Sequence, residues 1–250
     1  MSRSAKKSLP KPRADLAFFL DVDGTLLPIA ETPAAVSPSA TVCALLSKLM
    51  AVSSGAVALI SGRSLAELDR LFCGQHFPAA GQHGSERRDA RGKVTRVESH
   101  VVALGALRAL MQELTQSDAR LLLEDKDMSL ALHYRRAPER GLELLDKIRQ
   151  ALNGYPQFKL QPGKMVLEVR PAGISKAHAV QAFMSETPFL HHVPVFIGDD
   201  VTDEDGFAVV NQLGGISIKV GSGSSIAHYR ATGTDAVRHW LMACSESITT

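Results

Sequence analysis

Phe18-Phe19-Leu20-Asp21-Val22-Asp23-Gly24-Thr25 is the stretch on which both the fold and the chemistry of this chain turn. The apolar run Ala17–Leu20 has no polar alternation and predicts a buried strand. It exits into two carboxylates one residue apart, then into Gly24-Thr25, a turn whose backbone N–H groups can face a ligand. In extended geometry Asp21 and Asp23 share a face. Two like charges so placed need a cation, a ligand or a proton between them. The pair suits phosphoryl transfer: one carboxylate attacks phosphorus while a divalent metal suppresses repulsion between the anions. The other protonates the leaving alcohol and then activates water. A plain strand-to-turn exit carrying two solvated Asp fits this short pattern equally well.

The 250 residues suffice for one large domain, or for a core with a smaller companion. Hydrophobic content of 45% and charged content of 22% are ordinary globular values. Lys+Arg 28 against Asp+Glu 26 leaves +2, too near balance to point to nucleic acid or an anionic membrane. Cys43, Cys73 and Cys244 share no close spacing, which excludes a disulfide framework or a zinc site and points to a reducing, cytoplasmic compartment. No apolar run approaches membrane-spanning length. Residues 1–15 are rich in Ser, Lys, Arg and Pro without an apolar stretch, and predict a disordered basic tail rather than a signal peptide.

Past the Asp pair, Leu26–Ala35 holds Pro28 and Pro33 and reads as a loop. Ser37-Pro38 predicts a helix start, and Leu45, Leu46, Leu49 and Met50 give that helix a buried stripe. Ala56–Ile60 is a second apolar strand ending in Ser61-Gly62-Arg63, followed by the capping box Ser64-x-x-Glu67. Ser61 is thus expected just before a helix N-terminus with free N–H groups, where phosphate binds well. Alone it reads as a turn serine; beside the Asp pair the phosphate role is favoured.

The middle of the chain changes rhythm to helix, two strands, helix, two strands, with Phe158–Gln161 and Met165–Arg170 joined by a Pro162-Gly163 turn. Alternation such as Leu130 and Leu132 against Ala131 and His133 predicts an antiparallel sheet with helices on one face. Residues 88–171 therefore read as an inserted α+β cap, and 16–87 with 172–250 as the core. The open face of the cap sheet gathers Glu124, Lys126, His133, Arg135, Lys164, Glu168 and Arg170. Such mixed charge suits a polyhydroxylated ligand or, equally, solvated cross-strand ion pairs.

From Gly173 the strand–helix rhythm resumes. Lys176 opens a helix, and the buried strand Val193–Ile197 also ends in acid, Gly198-Asp199-Asp200-Val201-Thr202-Asp203-Glu204-Asp205. A helix-start acidic cluster accounts for the run by itself. Following a buried strand, it is also placed to share Mg²⁺ with Asp21, Lys176 supplying the positive charge an anionic site needs. A last strand, Ile216–Val220, precedes a Gly-Ser run too weak to mark a nucleotide site.

Asp21-Val22-Asp23-Gly24-Thr25, Ser61, Lys176 and Gly198-Asp199-Asp200 resemble, in order, the four motifs of haloacid-dehalogenase-superfamily phosphatases. Within that superfamily, Ile60-Ser61-Gly62-Arg63, Glu124-x-Lys126, His133-Tyr134-Arg135, Gly163-Lys164, Glu168-Val169-Arg170-Pro171 and Thr202-Asp203-Glu204 resemble the trehalose-6-phosphate phosphatase family over residues 16–242. Ala177 departs from the glycine frequent after the lysine. The resemblance implies a doubly wound, mostly parallel Rossmann-like α/β core with an inserted cap. It implies Asp21 as nucleophile, Asp23 as acid then base, and Ser61 and Lys176 as phosphoryl-holding groups. Mg²⁺ would lie between Asp21, the Asp23 carbonyl and Asp199, with Asp200 and Asp203 as alternatives. Gly62, Arg63, Glu124, Lys126, Arg135 and Glu168 would meet the substrate, a sugar phosphate. The partner implied is a trehalose-phosphate synthase. Rival readings are another sugar phosphatase, a phosphomutase, or a non-catalytic sugar-phosphate-binding module.

Overall fold

In the computed structural model, alternate residues of β1 (Leu16–Leu20) enter two different apolar cores. Leu16, Phe18 and Leu20 face one, Ala17 and Phe19 the other, and all five are fully buried. Burial of each large side chain stabilises the fold by about 1.5–3 kcal/mol. The structure describes residues 9–13, 15–29, 40–72, 74–97, 101–126 and 128–247. Ser37-Pro38, Cys73 and most of the expected Leu26–Ala35 loop lie outside them.

The elements follow as α1 (Ala40–Val52), β2 (Val57–Ile60), α2 (Leu65–Leu71), β3 (Ala79–Gly81), β4 (Glu86–Arg88) and β5 (Val94–Arg96). Next come α3 (Val101–Ser117), β6 (Leu122–Asp125), β7 (Leu130–His133), α4 (Gly141–Leu152), β8 (Phe158–Gly163) and β9 (Val166–Pro171). The chain closes with α5 (Lys176–Met184), β10 (Val193–Gly198), α6 (Glu204–Gln212), β11 (Ile216–Val220), β12 (Tyr229–Ala231) and α7 (Thr234–Ser247). They form two compact units, one from Met1–Arg96 with Ser175–Thr250, the other Val97–Ile174.

In the larger unit the sheet order is β12-β11-β10-β1-β2-β3-β4-β5, parallel from β12 to β3 and antiparallel in the final hairpin. From β1 the chain winds outward through β2 and β3, then returns to β1's other side as β10 and winds outward again. That reversal opens a crevice between the carboxyl ends of β1 and β10, where doubly wound sheets place their ligands. Leucines of α1 and α2, with Trp240 and Leu241 of α7, cover one face. Phe183 of α5 and Phe207 of α6 cover the other. No helix among the described residues is long and apolar enough to cross a membrane.

The smaller unit is the sheet β6-β7-β9-β8, antiparallel throughout. Leu104, Leu107 and Met111 of α3 and Leu144 and Ile148 of α4 pack with Leu130, Leu132, Leu167 and Val169 in one apolar layer.

Three sequence expectations differ from these findings. The smaller unit begins at Val97 rather than 88, because β4 and β5 extend the large sheet as a hairpin, and it ends at Ile174. The hairpin turn between β8 and β9 is Lys164-Met165, not Pro162-Gly163. Pro162 sits inside β8, which is an edge strand, so its missing N–H costs no ladder bond. Within the expected tail, Leu9 packs on the core and the Trp240 indole N–H donates to the Pro10 carbonyl at 2.7 Å, so this part is ordered.

Candidate active site

Asp21 is the first residue beyond β1, and its N–H still donates to the Ile197 carbonyl at 3.0 Å. The peptide is thereby locked to β10 while the carboxylate turns into the crevice. Lys176, first residue of α5, donates to Asp21 Oδ1 at 2.7 Å and to Asp203 Oδ1 at 2.6 Å. Asp203 Oδ2 accepts the Asp200 N–H at 2.9 Å, and Asp203 is wholly buried. Carboxylate oxygens of Asp21, Asp199 and Asp203 all lie within 4.8 Å of one another. Two glycines make room for this cluster. A Cβ on Gly24 would collide with the Asp199 carboxylate, and one on Gly198 with that of Asp203. Gly24 also has φ +78°, a conformation that L side chains rarely adopt.

Burial pushes the Asp21 carboxyl well above the ordinary carboxylate range, with the Lys176 ammonium pulling the other way. Burial, then the charges of Asp203 and Asp200, push Asp199 up to about 6. Burial alone would lower Lys176, but the carboxylates of Asp203 and Asp21 raise it above its ordinary value, so it stays an ammonium ion. The cluster is over-supplied with anionic oxygen, and among the described residues no donor reaches the Asp199 carboxylate. Hard oxygens converging within this span fit a small divalent cation such as Mg²⁺.

The structure does not bring Asp200 into the cluster. Asp200 is exposed, and its carboxylate accepts the Asp203 N–H in a reciprocal capping box around the Val201–Asp203 turn. Local sequence does not distinguish the two acids; only the tertiary contact with Lys176 does. Lys219 of β11 was not anticipated. It is buried and its ammonium donates to the Asp199 carbonyl. Its signal was present as the single charge inside the buried strand Ile216–Val220.

Asp23 points elsewhere. Arg63 grips it bidentately, Nε to Oδ2 and Nη2 to Oδ1, both at 2.7 Å. Ser61 is buried, and its Oγ accepts the Arg63 N–H at 3.1 Å. The helix N-terminus expected to be free after Ser61 is partly occupied. Ser64 caps Glu67 N–H at 3.2 Å, Glu67 accepts Ser64 N–H at 2.8 Å, and the Leu65 N–H donates to buried Glu86 at 2.6 Å. The capping box that starts α2 thus consumes donors assigned to phosphate. The Gly62 N–H, by contrast, has no acceptor among the described residues.

In the smaller unit, Glu124, Ala131, Glu168 and Gln161 stand in register across the four strands. The His133 ring meets Glu124 at 3.0 Å, Ser129 donates to Glu168 at 3.2 Å, and the Lys126 ammonium lies 3.6 Å from Glu168. Arg170 donates to Gln161 at 3.2 Å. The expected polar set is therefore assembled, except for Arg135 and Lys164, which are exposed beyond the strand ends.

Carboxylates at the switch point of a doubly wound sheet, two of them bridged by a buried lysine, define the haloacid-dehalogenase class of fold. The trehalose-phosphatase family model matches residues 19–235. The trehalose-6-phosphate phosphatase of Escherichia coli (strain K12) is 44% identical over 246 residues, 96% of this chain and 89% of that protein. The bifunctional trehalose-6-phosphate synthase/phosphatase of Thermoproteus tenax is 31% identical over 89% of this chain, which spans 32% of that longer protein. Among solved structures, the C-terminal domain of the C. albicans trehalose-6-phosphate phosphatase superposes with a TM-score of 0.80 over 93% of each chain, at 23% identity. The chain belongs to the trehalose-phosphatase family.

Proposed function

We propose that this chain hydrolyses trehalose 6-phosphate to trehalose and inorganic phosphate through an aspartyl-phosphate on Asp21. The observation that carries the proposal is the convergence of Asp21, Asp199 and Asp203 on one crevice, with Lys176 bonded to two of them. Asp21, Asp199 and Asp203 would hold Mg²⁺, with the Asp23 carbonyl as a further oxygen. When bound, the ion neutralises charge between the nucleophile and the incoming phosphoryl group.

An oxygen of Asp21 attacks phosphorus as the phosphorus–sugar oxygen bond breaks, and protonated Asp23 gives its proton to the leaving oxygen. Asp23, now a carboxylate, takes a proton from water, whose oxygen displaces Asp21 from phosphorus. Phosphate leaves and Asp21 is regenerated. Lys176, Ser61 and the Gly62 N–H balance charge on the phosphoryl oxygens. Arg63 occupies Asp23 in the free protein, and the substrate's phosphate competes for its guanidinium, releasing Asp23 to carry a proton. Glu124, Lys126 and Glu168 of the smaller unit, acting as a cap, bind the sugar hydroxyls.

The test is release of inorganic phosphate over a panel of sugar phosphates with Mg²⁺. Trehalose 6-phosphate should give the highest kcat/KM, a chelator should abolish turnover, and Asp21→Asn should fall to background while remaining folded. Turnover in Asp21→Asn would exclude the covalent route, and dependence on a sugar bisphosphate would mark a mutase instead. The buried free thiol of Cys244 favours a reducing compartment, the cytoplasm. Association with a trehalose-phosphate synthase rests on the fused arrangement of the T. tenax relative. Co-elution of the two proteins would test it.

A further inference from the structure

Gln82, His83 and Gly84 are three consecutive residues in the left-handed region, at φ 46°, 56° and 106°. For two side-chain-bearing residues this is uncommon, and such strain persists only where surrounding contacts over-determine it. Backbone contacts here reach the turn that follows β2. The Gln82 N–H donates to the Arg63 carbonyl at 2.8 Å, the His83 N–H to the Ser61 carbonyl at 2.9 Å, and the Ser61 N–H to the Ala80 carbonyl at 2.9 Å. The segment is thereby laced to Ser61-Gly62-Arg63 along its length.

The His83 ring completes the arrangement. A Cβ placed on Gly62 would stand 2.8 Å from His83 Nε2 and 2.9 Å from Cε1, so the imidazole lies directly over the Gly62 backbone. Gly62 itself does not have a left-handed φ. Its lack of a side chain is therefore required by the ring and not by its own conformation. We propose that His83 is a positioning residue for the phosphate-binding turn, its imidazole acting as the stop that fixes the direction of the Gly62 N–H. This rests on the phosphatase reading above, in which that N–H meets a phosphoryl oxygen. The strain at Gln82 and His83 is the cost of bringing the ring over the turn.

The test is a double-mutant cycle of Gly62→Ala and His83→Gly, the latter removing the ring while accepting the left-handed φ. Binding of inorganic phosphate with Mg²⁺ is measured by calorimetry, KM and kcat by phosphate release, and folding by circular dichroism. A misdirected donor to a charged group corresponds to a loss of about ten- to a hundredfold. Each single variant should lose that much phosphate affinity, with a matching rise in KM and a smaller change in kcat. In the His83→Gly background, adding Gly62→Ala should cost less than about twofold, since the space is free. Equal losses from Gly62→Ala in both backgrounds, or unchanged phosphate affinity in His83→Gly, would overturn the proposal. His83→Asn, which tolerates the left-handed region, gives the same reading should His83→Gly fold poorly. Absence of turnover in wild type would refute the phosphatase reading alone, because phosphate affinities still report the coupling.

Discussion

Asp203 shows how much one carboxylate's surroundings decide. It lies four residues past Asp199 in a run of acids, yet it is the one that a buried ammonium ion holds. Removing one partner of a buried ion pair costs about 3–5 kcal/mol, so Asp203→Ala should lower stability by about 3 kcal/mol and weaken Mg²⁺ binding. Asp200→Ala removes only an exposed cap and should cost about 1 kcal/mol or less. Urea unfolding of both variants checks this, and equal losses would mean that Asp200 is as deeply engaged as Asp203. Asp23 is the opposite case, a carboxylate half open to solvent and held by Arg63. Asp23→Asn should retain phosphate affinity and lose about 10²–10⁴-fold in kcat, the range of one general acid–base group. A variant within a few-fold of wild type would assign proton transfer to another residue.

At the level of elements, strand ends do the positioning and helices seal the faces. β1 and β10 deliver Asp21 and Asp199, α5 delivers Lys176, and β11 inserts Lys219 behind the Asp199 peptide. In the smaller sheet, β6 and β7 carry Glu124 and His133 side by side. The hydrogen bond from the His133 ring, more than the opposing effect of burial, holds Glu124 below its ordinary value. A carboxyl lowered in the folded state contributes stability that is complete above its unfolded value, about 4.3. That contribution is lost as pH falls through the lowered folded value. The melting temperature of wild type should therefore exceed that of Glu124→Gln near pH 6.5, and the gap should shrink as the pH is taken below the ordinary carboxylate range. A gap that stays constant across this range would show that the pair contributes nothing through ionisation.

For the molecule as a whole, the proposed reaction uses both units, one for chemistry and one for sugar recognition. Glu168→Ala should then leave hydrolysis of a small phosphate ester within about twofold of wild type. Its kcat/KM for trehalose 6-phosphate should fall about ten- to a hundredfold, the value of a hydrogen bond to a charged group. Part of that loss will appear in kcat, because binding energy from remote contacts drives the chemical step. Equal small effects on both substrates would reduce the charged row on the smaller sheet to solvated ion pairs.

The sequence by itself determined the features that are local. The unbroken apolar runs at 17–20, 57–60 and 193–197 dictate strands buried on both faces. Gly24 dictates the turn after the Asp pair, and Ser64 with Glu67 dictates the start of α2. Acid at the end of two such strands was enough to point to a shared cation and phosphoryl chemistry. Tertiary structure alone decided which acids meet, because Asp21, Lys176 and Asp203 are separated by 155 and 27 residues along the chain. It also decided that the Leu65 N–H at the start of α2 is taken, by Glu86 on a distant strand. The hairpin β4–β5 joined the larger sheet for a similar reason: its partner β3 offers an open edge that no residue within 86–96 announces. Short-range pattern fixes what a segment is, whereas charge pairing and sheet edges depend on neighbours that only the folded chain supplies.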